Sequence, residues 1–312
     1  MEDHAAAIGI DFGGTTIKSG IVEDGKITQR GETIDTLKFQ GSAELIEALV
    51  TEVSRLKTQR KNIVALGIGL PGITDSIHGI VHQLSNVPGW RDVPLRDLLD
   101  ERTGLRTEIE NDANAMAYAE WRFGAARGGK NVVCVTLGTG VGGGLILNGQ
   151  LFRGSFLGAG EIGQMSIHYE GVLGNYGNFG ALEKYVGNAR IAERAQKLFA
   201  EAGQNLSPEE CTPAAMAERA TKGNKLALQL WERIGTEIGA ALANVVWLLN
   251  PDAIVIGGGV ARAGDILFNP IRRTIRERTM PVFYAKLNIV PALLGNDAGI
   301  IGGAALALDS LA

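Results

Sequence analysis

The stretch Ile8-Gly-Ile-Asp11-Phe-Gly13-Gly14-Thr15-Thr16 occurs twice in this chain, the second time in altered form. Its counterpart reads Val132-Val-Cys-Val-Thr136-Leu-Gly138-Thr139-Gly140. Each copy is followed by an apolar segment and then by a turn pair, Asp24-Gly25 or Asn148-Gly149. Such pairs between apolar segments are typical of tight β-hairpins. We therefore predict that each half of the chain contains a strand, a Gly/Thr loop and a returning strand.

Two more repeats support a duplication. The tripeptide Asn111-Asp112-Ala113 recurs as Asn296-Asp297-Ala298, each time before a helix-like run, and two apolar strands lead into glycine at Gly69 and Gly257. A pattern that occurs only twice indicates paired domains, and strands alternating with helices indicate α/β architecture. We expect a duplicated α/β fold with two domains flanking a cleft. They span residues 1–127 and 128–296, with a C-terminal helix at about 297–312 packing back on the first.

The composition is that of an ordinary globular protein. The chain has 312 residues, 45% apolar and 21% charged, with a net charge of −4 that gives no basic footprint for nucleic acid. Two scattered cysteines form neither a disulfide framework nor a zinc site. No apolar stretch reaches the length of a membrane span, and the acidic N-terminus does not resemble a signal peptide. These features predict a cytoplasmic protein without a membrane or nucleic-acid partner.

The second glycine loop matches a dinucleotide fingerprint by letter only. Residues 138–143 satisfy G-x-G-x-x-G, and Glu161 follows at about the expected distance. A dinucleotide loop opens a helix, however, whereas the segment after Gly144 has the pattern of a hairpin. One alternative is that the glycines only form turns. The other is that the N–H groups of two facing loops bind a polyphosphate, since such groups form concave anion sites.

Acidic and amide side chains accompany these loops. Asp11 ends the first strand and could hold Mg²⁺ or its water, while Lys18 either adds a positive charge or is a surface lysine. Asp112 is either a helix N-cap or a catalytic carboxylate in the cleft. Recognition of a polyol needs several fixed hydrogen-bonding groups, and Asn111, Asp112, Glu161 and Glu183 provide such a set.

These motifs resemble the ROK family (repressors, open reading frames, kinases) of the actin/hexokinase-like (ribonuclease H-like) ATPase fold. The resemblance covers about residues 8–308 and includes Asn86-Val-Pro88-Gly89-Trp90, which is similar to a segment of the family's glucokinases. It implies that Asp112 is the base for the sugar hydroxyl. The hexose would be bound by Gly72, Asn86, Asn111, Asp112, Glu161, Gln164 and Glu183. ATP would be bound by Asp11, Gly13, Gly14, Thr15, Thr16, Lys18, Gly138, Thr139, Gly140, Gly258 and Gly259, with Mg²⁺ at Asp11 through water.

One departure from the family concerns zinc. The positions of the usual histidine and three cysteines are here Gln164, Gly174, Tyr176 and Ala181, which do not suit tetrahedral zinc. We therefore expect no zinc. Packing of Tyr176, Phe179 and Leu182 and local backbone hydrogen bonds would then hold the loop 171–183.

The resemblance implies an ATP-dependent kinase for a hexose, most readily glucose, acting as a homodimer. Alternatives within the class are fructose, mannose, allose or an N-acetylhexosamine as acceptor, and inorganic polyphosphate as donor. The rival class is a sugar-responsive repressor. Such proteins carry a DNA-binding domain before the kinase-like body, whereas here the phosphate loop already begins at Asp11, which disfavours this class. A sugar-binding protein without catalysis is disfavoured because Asp11, Asp112 and both loops are present.

Overall fold

The computed structural model describes residues 5–84 and 89–311. Its first half alternates strands and helices as expected, with an additional group of short strands after residue 72. The elements are β1 (Ala6–Phe12), β2 (Thr16–Glu23), β3 (Lys26–Arg30), β4 (Ile34–Asp35), α1 (Ser42–Lys57), β5 (Ile63–Leu70), β6 (Ile73–Asp75), β7 (Ile80–Gln83), β8 (Arg91–Val93), α2 (Leu95–Thr103), β9 (Arg106–Asn111) and α3 (Asp112–Arg122).

The second half repeats the plan with more helix. Its elements are β10 (Val132–Leu137), β11 (Val141–Leu147), β12 (Gln150–Phe152), α4 (Glu183–Val186), α5 (Asn188–Glu201), α6 (Pro213–Thr221), α7 (Lys225–Leu249), β13 (Ala253–Gly257), α8 (Asp265–Arg278), α9 (Pro281–Tyr284), β14 (Asn288–Pro291) and α10 (Ala298–Asp309). Among the described residues no helix combines the length and apolar character needed to cross a membrane.

The two main sheets have matching topology. The first runs β3-β2-β1-β5-β9, with β4 on β2, and the second runs β12-β11-β10-β13-β14. In each, an antiparallel hairpin (β1/β2 or β10/β11) adjoins parallel strands (β5 and β9, or β13 and β14). The strand after the second glycine loop is thus the return of a hairpin, as predicted, which excludes the dinucleotide-binding interpretation of that loop.

Two helices connect the halves. α3 packs against β5 of the first sheet and against β10 and β11 of the second, while α10 packs on α3, β1 and β5. α3 begins at Asp112 and α10 directly after Asp297, so each copy of the repeated Asn-Asp pair lies at the start of a helix that connects the halves. We propose that residues 1–127 and 128–296 form the two domains and that α10 belongs to the first.

The helix starts refine the role of the repeated tripeptide. At α3 the side chain of Asn111 is the N-cap and accepts from the N–H groups of Ala113 and Asn114, so Asp112 is not the cap. At α10, Asp297 stands at the N-cap position but its side chain makes no capping hydrogen bond; its carboxylate instead pairs with the guanidinium of Arg30 at 2.7 Å and 2.9 Å.

Candidate active site

A cavity of about 710 Å³ lies between the two sheets, and most of the predicted site residues line it. From the first half come Gly14, Thr15, Gly72, Asn111 and Asp112; from the second come Gly138, Thr139, Gly140, Glu161, Gln164, Glu183 and Gly258. Within the described residues, Gly13, Thr16 and Lys18 do not line it. Asn86, predicted to bind the sugar, lies outside the described residues.

Two more cavities continue from the first one. A neighbouring cavity of about 410 Å³ contains Asp11 and shares Asp112, Thr136 and Gly258 with the main cavity. Arg262 in turn joins it to a third, of about 610 Å³, between α5, α6 and Gly259. The carboxylate of Asp112 therefore lies where a polar cleft meets a path that leads to an alanine-rich slot.

The first glycine loop is a tight hairpin whose inner residues are fixed by hydrogen bonds. The N–H of Gly13 donates to Thr16 O at 2.9 Å, and a Cβ at Gly13 would lie 2.7 Å from that oxygen. Thr36 holds the tip, donating from its N–H to Thr15 O at 3.0 Å and from its hydroxyl to Gly14 O at 3.2 Å. Gly13 and Thr16 thus shape the turn that presents Gly14 and Thr15 to the cavity.

The second loop is braced by Glu183. One carboxylate oxygen of Glu183 accepts from Val141 N at 3.0 Å, and the other accepts from Asn175 Nδ2 at 3.1 Å. A Cβ at Gly140 would lie 2.5 Å from the Glu183 carboxylate, so a side chain at this position would displace that carboxylate. Glu183 therefore lines the cavity and also fixes the loop, a contact between distant segments that sequence reasoning missed.

Asp112 is placed as a proton acceptor would be. One of its carboxylate oxygens accepts from Ala113 N at 2.8 Å; the other has no hydrogen bond within the described part of the chain. Burial, together with the smaller effect of the charges of Asp11 and Glu161 and against the opposing hydrogen bond from Ala113 N, raises the pKa of Asp112 to about 6. A carboxyl group whose pKa lies near neutral pH suits general base catalysis.

Two further carboxyl groups of these cavities, those of Asp11 and Glu161, also have a raised pKa. Burial raises the pKa of Asp11, and the neighbouring Lys18, its pairing partner across β1 and β2, opposes the shift. Partial burial raises the pKa of Glu161, and the charge of Glu183 adds to this effect. Asp11, Asp112 and Glu161 therefore form a cluster of like charge, which favours protonation or a bound cation.

Gly258 is constrained by the fold as well as by the ATP site expected there. Its φ is +87°, and a Cβ would lie 2.2 Å from Leu137 O. The fold itself therefore requires glycine at 258, whatever ligand approaches. Gly259 has open space where a Cβ would point, and it lines the third cavity.

The loop 171–183 is held only partly as expected. Leu182 is buried, but Tyr176 is 79% exposed and Phe179 is 50% exposed, so the predicted packing by these two rings is wrong. The predicted local backbone hydrogen bonds are present, among them Gly174 N to Asn178 O at 2.6 Å, and the partly buried side chain of Asn178 also donates to Gln164 O at 2.8 Å. No group of three or more possible metal ligands occurs among residues 5–84 and 89–311.

Several residues of the cavities were missed in the sequence. Thr136 lines both the first and second cavities, Arg262 the second and third, and Asn296 the second. Asn296 could have been found from the repeated tripeptide, and Thr136 from its place before the glycine loop. No comparable pattern marks Arg262 or the residues of α5 and α6.

Comparison with known proteins agrees with this geometry. The model of the ROK family matches residues 7–310. The chain belongs to the ROK family. It is 36% identical to the glucokinase of Thermotoga maritima over 306 residues, which cover 96% of each chain. It is 37% identical to the glucokinase of Halalkalibacterium halodurans, over 95% of this chain and 93% of that one.

Solved structures of this family have the same fold. A ROK family glucokinase from Streptomyces griseus, in complex with glucose and AMPPNP, is 31% identical and superimposes with a TM-score of 0.82 over 98% of this chain and 100% of that one. The ROK hexokinase of Thermus thermophilus is 29% identical, with a TM-score of 0.82 over 98% and 99%. These matches confirm the predicted two-domain actin/hexokinase-like fold.

Proposed function

We propose that the protein transfers the terminal phosphoryl group of ATP to a hexose and that glucose is its preferred acceptor. The observation that carries the proposal is the position of Asp112. Its carboxylate, with a pKa of about 6, lies at the junction of the main cavity, which both glycine loops border, and the second cavity, which contains Asp11. Similarity to glucokinases along nearly the whole chain supports glucose as the acceptor.

The main cavity is suited to a hexose. Asn111, Glu161, Gln164 and Glu183 project carboxylate or amide groups from both halves into about 710 Å³. Hexose hydroxyls both donate and accept, so a mixture of carboxylates and amides can bind them in a fixed orientation. Gln164 can donate and accept like the family's histidine, but it does not titrate near neutral pH.

The nucleotide would extend from Asp112 towards the third cavity. Backbone N–H groups of the Gly14–Thr15 and Gly138–Gly140 segments would hold the terminal phosphates. Arg262 lies along the path, and the slot beyond it is lined by small side chains of α5 and α6 and by Gly259. A cavity lined mainly by small apolar side chains suits the apolar faces of a purine better than a charged group.

Asp11 fits a magnesium ion held jointly with the phosphates. Its carboxylate lines the second cavity beside Asp112, and no protein donor binds it among the described residues. Magnesium typically takes one or two carboxylates together with substrate phosphates and water, so the lack of a larger ligand cluster is compatible with it. Such an ion would neutralise the charge on the transferred group.

The chemistry of the protein's own residues follows from this placement. A hydroxyl oxygen of the hexose, on C6 in our proposal, attacks the terminal phosphorus, the bond to the bridging oxygen breaks, and ADP leaves. Asp112 orients that hydroxyl and accepts its proton. Phosphoryl transfer depends chiefly on such positioning and on electrostatic stabilisation, which the two loops provide.

A coupled assay tests the proposal directly. The purified protein would be offered glucose, mannose, fructose, allose and N-acetylglucosamine, each with ATP or inorganic polyphosphate and Mg²⁺. We expect glucose with ATP to give the highest kcat/KM. Transfer to none of these sugars would contradict the assignment as a hexose kinase, and activity with polyphosphate alone would contradict the donor.

We also propose a homodimer, as membership of the family implies, and no structural zinc, because Gln164, Gly174, Tyr176 and Ala181 stand at the usual ligand positions. Sedimentation would give twice the mass of the 312-residue chain.

A further inference from the structure

One ion pair connects the two halves beside the main cavity. Arg153 follows β12 in the second half, and its Nε donates to Glu110 Oε2 of β9 at 2.6 Å. The carboxylate of Glu110 is 5% exposed, and the side chain of Arg153 is 33% exposed. Neither residue lines the main cavity; both line a separate cavity of about 230 Å³, together with Tyr118 and Asp309.

Glu110 holds the turn that carries Asp112. Its other oxygen, Oε1, accepts from Asn111 N at 2.9 Å and from Asn114 Nδ2 at 3.0 Å. Asn111 in turn caps α3. The Glu110 carboxylate is therefore hydrogen-bonded to Asn111, the residue before Asp112, and to Asn114 in the first turn of α3. These bonds fix the position of the turn that carries Asp112.

Arg153 also closes the loop that carries Glu161. Its main-chain oxygen accepts from Ala159 N at 3.0 Å, which brings the two ends of the segment 153–159 together. Gly160 then packs against Gly143, where a Cβ would lie 2.8 Å from the Gly143 oxygen. Glu161 follows directly. Arg153 is thus connected through Glu110 to the turn of Asp112 and through the loop 153–159 to Glu161, the acidic residues on the two walls of the cavity.

We propose that Arg153 is a positioning residue for the acceptor sugar, acting through its ion pair with Glu110. The pair sets the distance between the Asn111–Asp112 turn and the Glu161 loop, and so the geometry in which hydroxyls are held. The inference rests on the proposed function, because it assumes that the hexose binds between these two segments. Reacting groups displaced by about 1 Å can lower a rate about 100-fold.

The test compares Arg153→Met, Glu110→Gln and the double variant Arg153→Met/Glu110→Gln. We expect Arg153→Met to raise the KM for glucose and lower kcat, with a loss of about 10- to 100-fold in kcat/KM for the sugar. The KM for ATP should stay within about twofold, because the nucleotide path does not touch the pair. The double variant should lose no more than the worse single variant, since interacting residues are not additive.

Two further variants keep the test decisive if a single replacement weakens folding. Arg153→Lys preserves the charge and should recover part of the sugar affinity. Arg194→Met is the control: the arginine is 26% exposed and forms an ion pair of the same length, 2.6 Å, with Glu237, and neither residue lines the main cavity. It should lower the melting temperature without changing the KM for glucose.

The outcomes separate the two proposals. A wild-type protein that phosphorylates no hexose would refute the proposed function, and this inference with it. An active wild type with an unchanged KM for glucose in Arg153→Met would refute the positioning role alone. Equal changes in the KM values for glucose and ATP, or additive losses in the double variant, would do the same.

Discussion

Asp112 and Asn111 divide two tasks at the start of α3. Asn111 supplies both capping hydrogen bonds, whereas Asp112 keeps one carboxylate oxygen without a hydrogen bond among the described residues. The helix therefore does not depend on the charge of Asp112. A change of that charge should affect chemistry much more than folding.

Asp112→Asn should reduce turnover by about 10²- to 10⁴-fold, the usual contribution of a positioned general base. The amide oxygen can still accept from Ala113 N, so the circular dichroism spectrum and the affinity for glucose should remain close to those of the wild type. Steady-state kinetics and calorimetric titration with glucose would measure the two effects. Turnover within threefold of the wild type would show that another group accepts the proton.

The raised pKa also predicts how stability depends on pH. Asp112 has a pKa of about 6 in the fold against an ordinary 3.8, so the folded state favours its protonated form. That stabilisation is present below pH 4 and is lost as the pH rises through 6. The neutral Asp112→Asn variant should therefore be more stable than the wild type at pH 8, by up to about 3 kcal/mol, with no such difference at pH 4. Urea unfolding at both pH values would measure this, and an equal difference at both would contradict the pKa shift.

At the scale of single elements, the two glycines that follow β13 differ in how well they tolerate a side chain. Gly258 contacts the backbone of Leu137 with a positive φ, so Gly258→Val would disturb β10 and could not report on the nucleotide alone. Gly259 offers open space towards the third cavity. It is therefore the better position for a test of nucleotide binding.

Gly259→Val should raise the KM for ATP several-fold with kcat nearly unchanged, because it obstructs a remote and uniformly bound part of the donor. Thr139→Val should instead lower kcat, because it removes a hydroxyl donor from the loop assigned to the transferred phosphate. Initial rates with both substrates varied would separate the two patterns. The same pattern in both variants would contradict this assignment of the loops.

The segment 164–181 is cross-linked by the amide of Asn178. Asn178→Ala removes the hydrogen-bond donor to Gln164 O, so we expect a loss of about 1–3 kcal/mol in unfolding free energy and a higher KM for glucose.

Elemental analysis of the wild type should find no stoichiometric zinc. One tightly bound zinc per chain would contradict this, and His168 would then be tested as a ligand.

How much the sequence predicts depends on whether a pattern is local. The repeats predicted both hairpins, the parallel strands and α3, because turn pairs and apolar runs act within a few residues. The support of Glu183 for Val141 and of Asn178 for Gln164 could not be predicted, since each joins segments brought together only by folding. The short strands β6, β7 and β8 were missed because their few residues carry too little periodicity.

At the scale of the whole molecule, Glu120 joins the halves. It is fully buried at the end of α3, and its carboxylate accepts from the N–H groups of Ala125, Leu293 and Leu294 at 2.8, 3.1 and 2.8 Å. The last two precede α10, so one side chain ties α3 to the segment leading into α10. Glu120 thus links α3, which packs against both sheets, to the segment before α10.

Glu120→Ala should lower the free energy of unfolding by about 3 kcal/mol, because three N–H groups lose a charged acceptor and each such bond contributes about 1 kcal/mol or more. The matched control is Glu218→Ala on the exposed face of α6, where the ion pair with Lys222 is surrounded by solvent and contributes little to stability. Urea unfolding of both variants would measure the difference. Equal losses in the two variants would show that Glu120 has no special role in joining the halves.

The packing of α10 has a consequence for how the protein is made. Its backbone touches β5 and α3 directly: a Cβ at Gly67 would lie 1.8 Å from Gly303 O, and one at Gly302 would lie 1.8 Å from Ala115 O. No other segment could fill so close a contact. At about 5–20 residues per second, the ribosome needs roughly 15 to 60 seconds to pass from β1 to α10. During that time the nascent first sheet exposes its apolar face, and it is then a substrate for chaperones.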